Sequence, residues 1–136
     1  MLHAICYIST ASSDFNDTEI AGLMAKWKQK NSDLDIKGIL LFSVGNFFQV
    51  LEGEKAKVLE LFSGVMKDTR HTSIIQVLGQ DVVKGSLDGY KTEHITRNFS
   101  RPDLIRDYCE AVKGMDRTIQ EQLKKFLETF IDTRVF

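Results

Sequence analysis

Residues 36–53 read IKGILLFSVGNFFQVLEG. Two apolar, β-prone runs, residues 36–43 and 46–52, flank the short segment Ser43-Val44-Gly45-Asn46. Glycine and asparagine between two such runs predict a β-hairpin. One polar side chain interrupts the second run. Gln49 stands inside Phe47-Phe48-Gln49-Val50-Leu51. A buried glutamine brings an amide with donors at one end and an acceptor at the other, and burial is costly unless they are paired. The hairpin therefore sets the strand order and also asks for a polar partner.

Working outward, residues 2–9 form a short apolar stretch that predicts a first strand. Phe15-Asn16-Asp17-Thr18-Glu19-Ile20 then carries a helix start. Asn16 can cap it, Glu19 can reach back, and Phe15 can pack on Ile20. Ile20, Leu23, Met24 and Trp27 recur at helical spacing, and the helix is expected to end near Asn31. After the hairpin, Val58, Leu61, Phe62 and Val65 repeat the spacing on a second helix, about 54–67. Strands are expected near 73–80 and 89–96. The order βαββαββ predicts an α+β, ferredoxin-like sandwich with both helices on one sheet face and room for a ligand between them. Strands one and three are expected to be the central pair, adjacent and parallel, with Tyr7 facing Gln49.

Beyond residue 98 the pattern becomes wholly helical. Ser100-Arg101-Pro102-Asp103 opens one helix, which runs to about Lys113, and Gly114 breaks it. Ile119, Leu123, Phe126, Leu127 and Phe130 form one stripe on another. Residues 1–98 are expected to be the ligand-binding domain. Residues 99–136 are expected to be a two-helix cap on the open sheet face, with Phe126, Phe130 and Phe136 as candidates for an oligomer contact.

The chain has 136 residues, enough for one domain with a real core. Hydrophobic residues make up 43% and charged residues 27%, which places it among folded rather than disordered chains. A net charge of −1 gives no basic footprint for nucleic acid. No run of about 18 apolar residues predicts a membrane span, and the N-terminus lacks the basic region of a signal peptide. Cys6 and Cys109 read as buried thiols of a cytoplasmic protein, and His3, His71 and His94 lack metal-ligand spacing.

Three polar residues remain at positions a plain core does not need: Tyr7, Asn31 and Gln49. Each has a bland role open to it, as a core aromatic, a helix cap and an edge-strand amide. Their combination is what carries chemistry. With Cys6-Tyr7-Ile8-Ser9, Lys30-Asn31, Ile36-Lys37-Gly38-Ile39-Leu40-Leu41-Phe42, the run from Gly45 to Gly53, and Asp68-Thr69-Arg70-His71, the first 70% or so of the chain resembles the BLUF domains, blue-light sensors using flavin. The resemblance implies FAD, with FMN an alternative, held noncovalently between the two helices. Leu23 and Val65 would flank the ring, and Lys30, Phe48 and His71 belong to the matching segments around it. Asn31 would bond the ring edge, while Gln49 would sit between flavin and Tyr7 as the photochemical pair. Asp68 and Arg70 would lie toward the ribityl and phosphate end, where Gly64 stands in place of a basic residue some members carry.

The resemblance also implies a blue-light photoreceptor, not an enzyme, whose output passes through strand five to a homo-oligomer or a separate protein. There the pattern departs. Tyr90 and Thr92 stand where the family often has Trp and Met as a signal relay. Light absorption is expected to survive this, whereas signalling is put in doubt, so a light-inert flavin-binding or oligomerising module is the second reading. An acylphosphatase-type hydrolase would want a phosphate-cradling loop, but Ser9-Thr10-Ala11-Ser12-Ser13 has no glycine or arginine. Neither cysteine has the setting of a cysteinyl-adduct flavin sensor.

Overall fold

The protein was analysed as a computed structural model, which describes residues 1–43, 45–82, 90–94, 106, 109–110, 112 and 115–134. For residues 17, 90–94 and 131–134 it describes the backbone alone. Its elements are β1 (Leu2–Ala11), α1 (Asp17–Asp33), β2 (Lys37–Ser43), β3 (Asn46–Glu54), α2 (Lys55–Lys67), β4 (His71–Val82), β5 (Tyr90–His94) and α3 (Arg117–Arg134). The expected helix from Ser100 to Lys113, its break at Gly114, and Phe136 lie largely or wholly outside the described residues.

The local signals act as the residue chemistry requires. Asn16 caps α1 by accepting from the Glu19 amide at 2.8 Å, and the Glu19 carboxylate accepts from the Asn16 amide at 3.2 Å. These two bonds satisfy amides that the first helical turn leaves unpaired. α1 runs past Asn31 to Asp33, so Asn31 lies in the last turn rather than at the cap. The β2–β3 hairpin closes through Gly45, whose φ of 81° favours a residue without Cβ.

The sheet runs β4-β1-β3-β2-β5. β1 and β3 are adjacent and central, as expected, but they are antiparallel. The reason is the crossover. α1 carries the chain from β1 back to the start of β2, so β1 and β2 point the same way, and the hairpin then lays β3 between them in reverse. Among the described residues, the one parallel pair joins β2 to β5. Tyr7 still lies directly opposite Gln49.

Side-chain alternation divides the sheet into two cores. Ile5, Tyr7, Leu40, Phe47 and Leu51 face α1 and α2, packing with Ile20, Met24, Val58 and Phe62. Ala4, Cys6, Ile39, Leu41, Phe48 and Val50 face α3, packing with Ile119, Leu123, Leu127 and Phe130. α3 thus covers the second face. Its Phe130 ring lies 5.5 Å from that of Phe48, while Phe126 is half-buried at its margin. Burial pushes the Cys6 thiol far up, so it stays protonated. No described helix is long and apolar enough to cross a membrane.

Leu123 is fully buried between α3 and the sheet. Leu123→Ala should lower stability by about 2–5 kcal/mol through lost burial and a residual cavity. Urea unfolding checks this, as a lower midpoint at unchanged slope.

Candidate functional site

Tyr7 and Gln49 are each 3% exposed and lie on the face covered by α1 and α2. The Tyr7 hydroxyl donates to Gln49 Oε1 in a short, buried hydrogen bond. Because the two are register partners on adjacent strands, the backbone itself holds the pair together. On its other side Tyr7 meets β4 at an irregularity. Cys6 pairs with Leu78 but Tyr7 with Gln76, leaving Val77 as an extra residue. A second shift follows between Ile8 and Thr10, opposite Ser73 at φ 54°. Such bulges re-aim a strand locally.

These shifts precede a second buried cluster. His71, at the start of β4, bonds Ser9 Oγ through Nδ1 at 2.7 Å. Its Nε2 lies 2.8 Å from the Val65 carbonyl, which can only accept. Nε2 therefore carries a proton. In the neutral ring Nδ1 then accepts from the Ser9 hydroxyl. This chain of bonds ties the C-terminal turn of α2 to β1, two residues from Tyr7.

Above the pair, between α1 and α2, lies a cavity of about 240 Å³. Tyr7 and Gln49 line it, with Lys26, Trp27, Lys30 and Asn31 from α1 and Leu61, Gly64 and Val65 from α2. Asp68, Arg70 and His71 complete it. The volume is near the low end for small-molecule pockets, roughly 300–1,000 Å³. Asn31 is 3% exposed, and its side chain makes no hydrogen bond among the described residues. An amide so placed, lining the cavity, is open to a hydrogen bond from a bound molecule.

Arg70 grips Asp68 through two of its three guanidinium nitrogens, Nη2 to Oδ2 at 2.6 Å and Nε to Oδ1 at 2.9 Å. Its guanidinium also lies over the Trp27 ring, 5.3 Å from the centroid. The Arg70 hydrogen bond holds the Asp68 carboxyl below its ordinary range, and the same bond raises Arg70.

Most expected site residues converge here: Tyr7, Lys30, Asn31, Gln49, Val65, Asp68, Arg70 and His71 all line the cavity. Two do not. Phe48 points to the α3 face, because alternation turns it away from Gln49. Leu23 is buried on α1 but does not line the cavity; Trp27, one turn on, stands there instead. For Tyr90 and Thr92 the backbone alone is described, pairing with Gly38 and Leu40. Lys26, Trp27 and Leu61 are additions. The stripe reading assigned Trp27 and Leu61 to the core alone, and Lys26 gave its signal as the i, i+4 partner of Lys30.

Residues 2–88 match the BLUF family, described as sensors of blue-light using FAD. The chain belongs to that family. Over 76 residues it is 33% identical to the photoactivated adenylate cyclase subunit beta of Euglena longa, covering 56% of this chain and 9% of the relative. Over 78 residues it is 32% identical to the blue light- and temperature-regulated antirepressor BluF of Escherichia coli (strain K12), covering 57% and 19%. It therefore spans under a fifth of the length of these curated relatives. The structure of Klebsiella pneumoniae BlrP1 with FMN and cyclic diGMP superposes with a TM-score of 0.80 at 25% identity, over 97% of this chain and 35% of that one.

The BLUF cavity suits a flavin on its own chemistry. It offers in Asn31 a buried amide whose side chain makes no hydrogen bond among the described residues, a second amide in Gln49, and flat or branched apolar walls in Trp27, Leu61 and Val65. A planar ring with polar atoms along one edge needs those groups.

The Asp68–Arg70 pair sets an acid-side dependence. Asp68 is depressed in the folded state, so its contribution to stability is full above the ordinary carboxylate pKa, about 4. It is lost as pH falls through the folded value below that. Arg70→Gln should return the Asp68 pKa toward its ordinary value, read by NMR titration of the carboxyl carbon.

Proposed function

We propose that this BLUF chain registers blue light through Tyr7 and Gln49 and reports it to another protein surface rather than to a catalytic site of its own. The observation carrying this reading is the buried hydrogen bond from Tyr7 to Gln49 on the floor of the cavity. When bound and excited by blue light, the flavin supplies a strong one-electron oxidant. Asn31 would hold its polar edge, Trp27, Leu61 and Val65 would exclude water, and His71 would fix the floor by anchoring Val65 to Ser9.

The remaining steps belong to the side chains. The Tyr7 phenol gives up an electron, and its proton moves along the existing hydrogen bond toward Gln49 Oε1. When electron and proton return, the amide is left with its donor and acceptor ends rearranged. One reversed amide changes hydrogen bonding by about 1–3 kcal/mol, enough to bias a two-state element. Output would leave through β5, whose Thr92 pairs with Leu40, itself the partner of Gln49. We assign residues 1–98 to flavin binding and 99–136 to a cap that also mediates assembly, with a homodimer as the minimum. The free thiols Cys6 and Cys109 fit a cytoplasmic location.

A second reading, a light-inert flavin module, rests on Thr92, which is shorter than methionine and branched at Cβ. The light-minus-dark spectrum decides between them. The wild type should show a reversible red shift of the flavin band, and Tyr7→Phe and Gln49→Leu should each lose it while staying yellow. A yellow wild type without a shift supports the light-inert module. A shift kept by either variant refutes the pair.

A further inference from the structure

We infer that Gln76 on β4 is a positioning residue for the light reaction: its amide pins the bulge beside Tyr7, and Gly79 leaves the space that amide fills. The inference rests on the reading of Tyr7 and Gln49 as the photochemical pair and deepens it. Tyr7 has a register partner on each side, Gln49 on β3 and Gln76 on β4. The two sides differ. β1 and β3 pair in unbroken register from Leu2 to Thr10, whereas the pairing with β4 shifts at Tyr7 itself, through the extra residue Val77. A bulge bends its strand and raises the local twist. The aim of Tyr7 toward Gln49 is therefore adjusted from the β4 side.

The extra residue changes which side chains meet. In a regular strand, residues three apart project to opposite faces. Gln76 lies opposite Tyr7 and Gly79 opposite Ile5, and Tyr7 and Ile5 both belong to the core under α1 and α2. Val77 and Leu78 both pack with the core under α3. Gln76 and Gly79 thus share a face because Val77 is inserted between them. The Gln76 side chain uses that arrangement. Its Nε2 donates to the Leu78 carbonyl at 3.3 Å and so bridges Val77.

Gly79 completes the device. A Cβ added there would collide with the same Gln76 nitrogen. Its φ is not positive, so the backbone gives no reason for glycine. Glycine inside a strand weakens it and often marks a close approach, and here the group that approaches is the amide. Without Val77 the amide would not reach this place. Without the amide the Leu78 carbonyl loses a bond that favours the bulged form. Gln76 does not line the cavity, so its effect reaches the reaction through Tyr7.

The test is the initial rate of the flavin red shift under limiting blue light, measured on the full chain. That rate follows the fraction of molecules with Tyr7 aligned, because the proton moves along an existing bond. Q76M keeps the side-chain volume and removes the N–H donor. G79A keeps Gln76 and displaces its amide. Each should lower the rate roughly threefold, the scale of one neutral hydrogen bond, with flavin affinity and thermal midpoint unchanged. The double variant Q76M/G79A should lose no more than Q76M, since both changes remove one interaction. Q80A, which removes an exposed glutamine from the same strand, should match the wild type. In the dark, the backbone amide NMR shifts of Tyr7 and Val77 should move in Q76M and G79A and stay in place in Q80A.

A Q76M rate equal to the wild type overturns the inference. So does a slower rate accompanied by matching losses of flavin affinity and midpoint, which is general destabilisation. A G79A protein with the wild-type rate overturns the role given to Gly79. A wild type with no red shift is a different result and overturns the photochemical reading, while the dark NMR shifts still decide whether Gln76 pins the strand at Tyr7.

Discussion

A buried glutamine amide in the middle of a sheet constrains the rest of this molecule. Gln49 has apolar neighbours on both sides along β3, and on the helix-covered face it lies in the layer of Leu40, Phe47 and Leu51. Unpaired, such a group would cost more than its packing returns. Its bond to Tyr7 reduces that cost, and the bond exists because β1 and β3 are neighbours in a register that sets residue 7 against residue 49. That register in turn needs α1 as the crossover and a hairpin short enough to place β3 between β1 and β2. Site and topology are one constraint seen at two scales.

Much of this was legible in the sequence, wherever one local rule decided the outcome. The hairpin, the Asn16–Glu19 capping box and the two helical stripes needed no tertiary information. The relative direction of β1 and β3 was misjudged because it depends on which way α1 returns the chain, something no single strand records. Phe48 was misplaced for another reason. Its neighbour Gln49 belongs to the site, yet the period of two along a strand already sends adjacent residues to opposite faces. The places of Leu23, buried, and Trp27, at the cavity, share a cause. Both lie on one helical stripe, and only the position of α2 decides where along it the core ends and the cavity begins.

The cavity divides its labour by charge. Its floor is neutral and buried, with Tyr7, Gln49 and Asn31 offering hydrogen bonds in a water-poor setting where they are strongest. Its mouth carries Lys26, Lys30 and the Asp68–Arg70 pair, which solvent screens. Between them, His71 is buried yet needs no charge, since its two ring nitrogens are satisfied by a hydroxyl and a carbonyl. The neutral, buried hydrogen-bonding groups are therefore kept apart from groups whose fields vary with salt.

The division of the sheet into two cores has a mechanical meaning. Among the described residues, the buried apolar side chains fall into one layer around Tyr7 under α1 and α2 and another under α3, with the strands between them. Phe48 and Val50 flank Gln49 in the chain and project to the far side, where Phe48 meets Phe130. Any rotation of β3 about its own axis would therefore be felt on both faces at once, at the Gln49 amide on one and in the Phe48–Phe130 packing on the other.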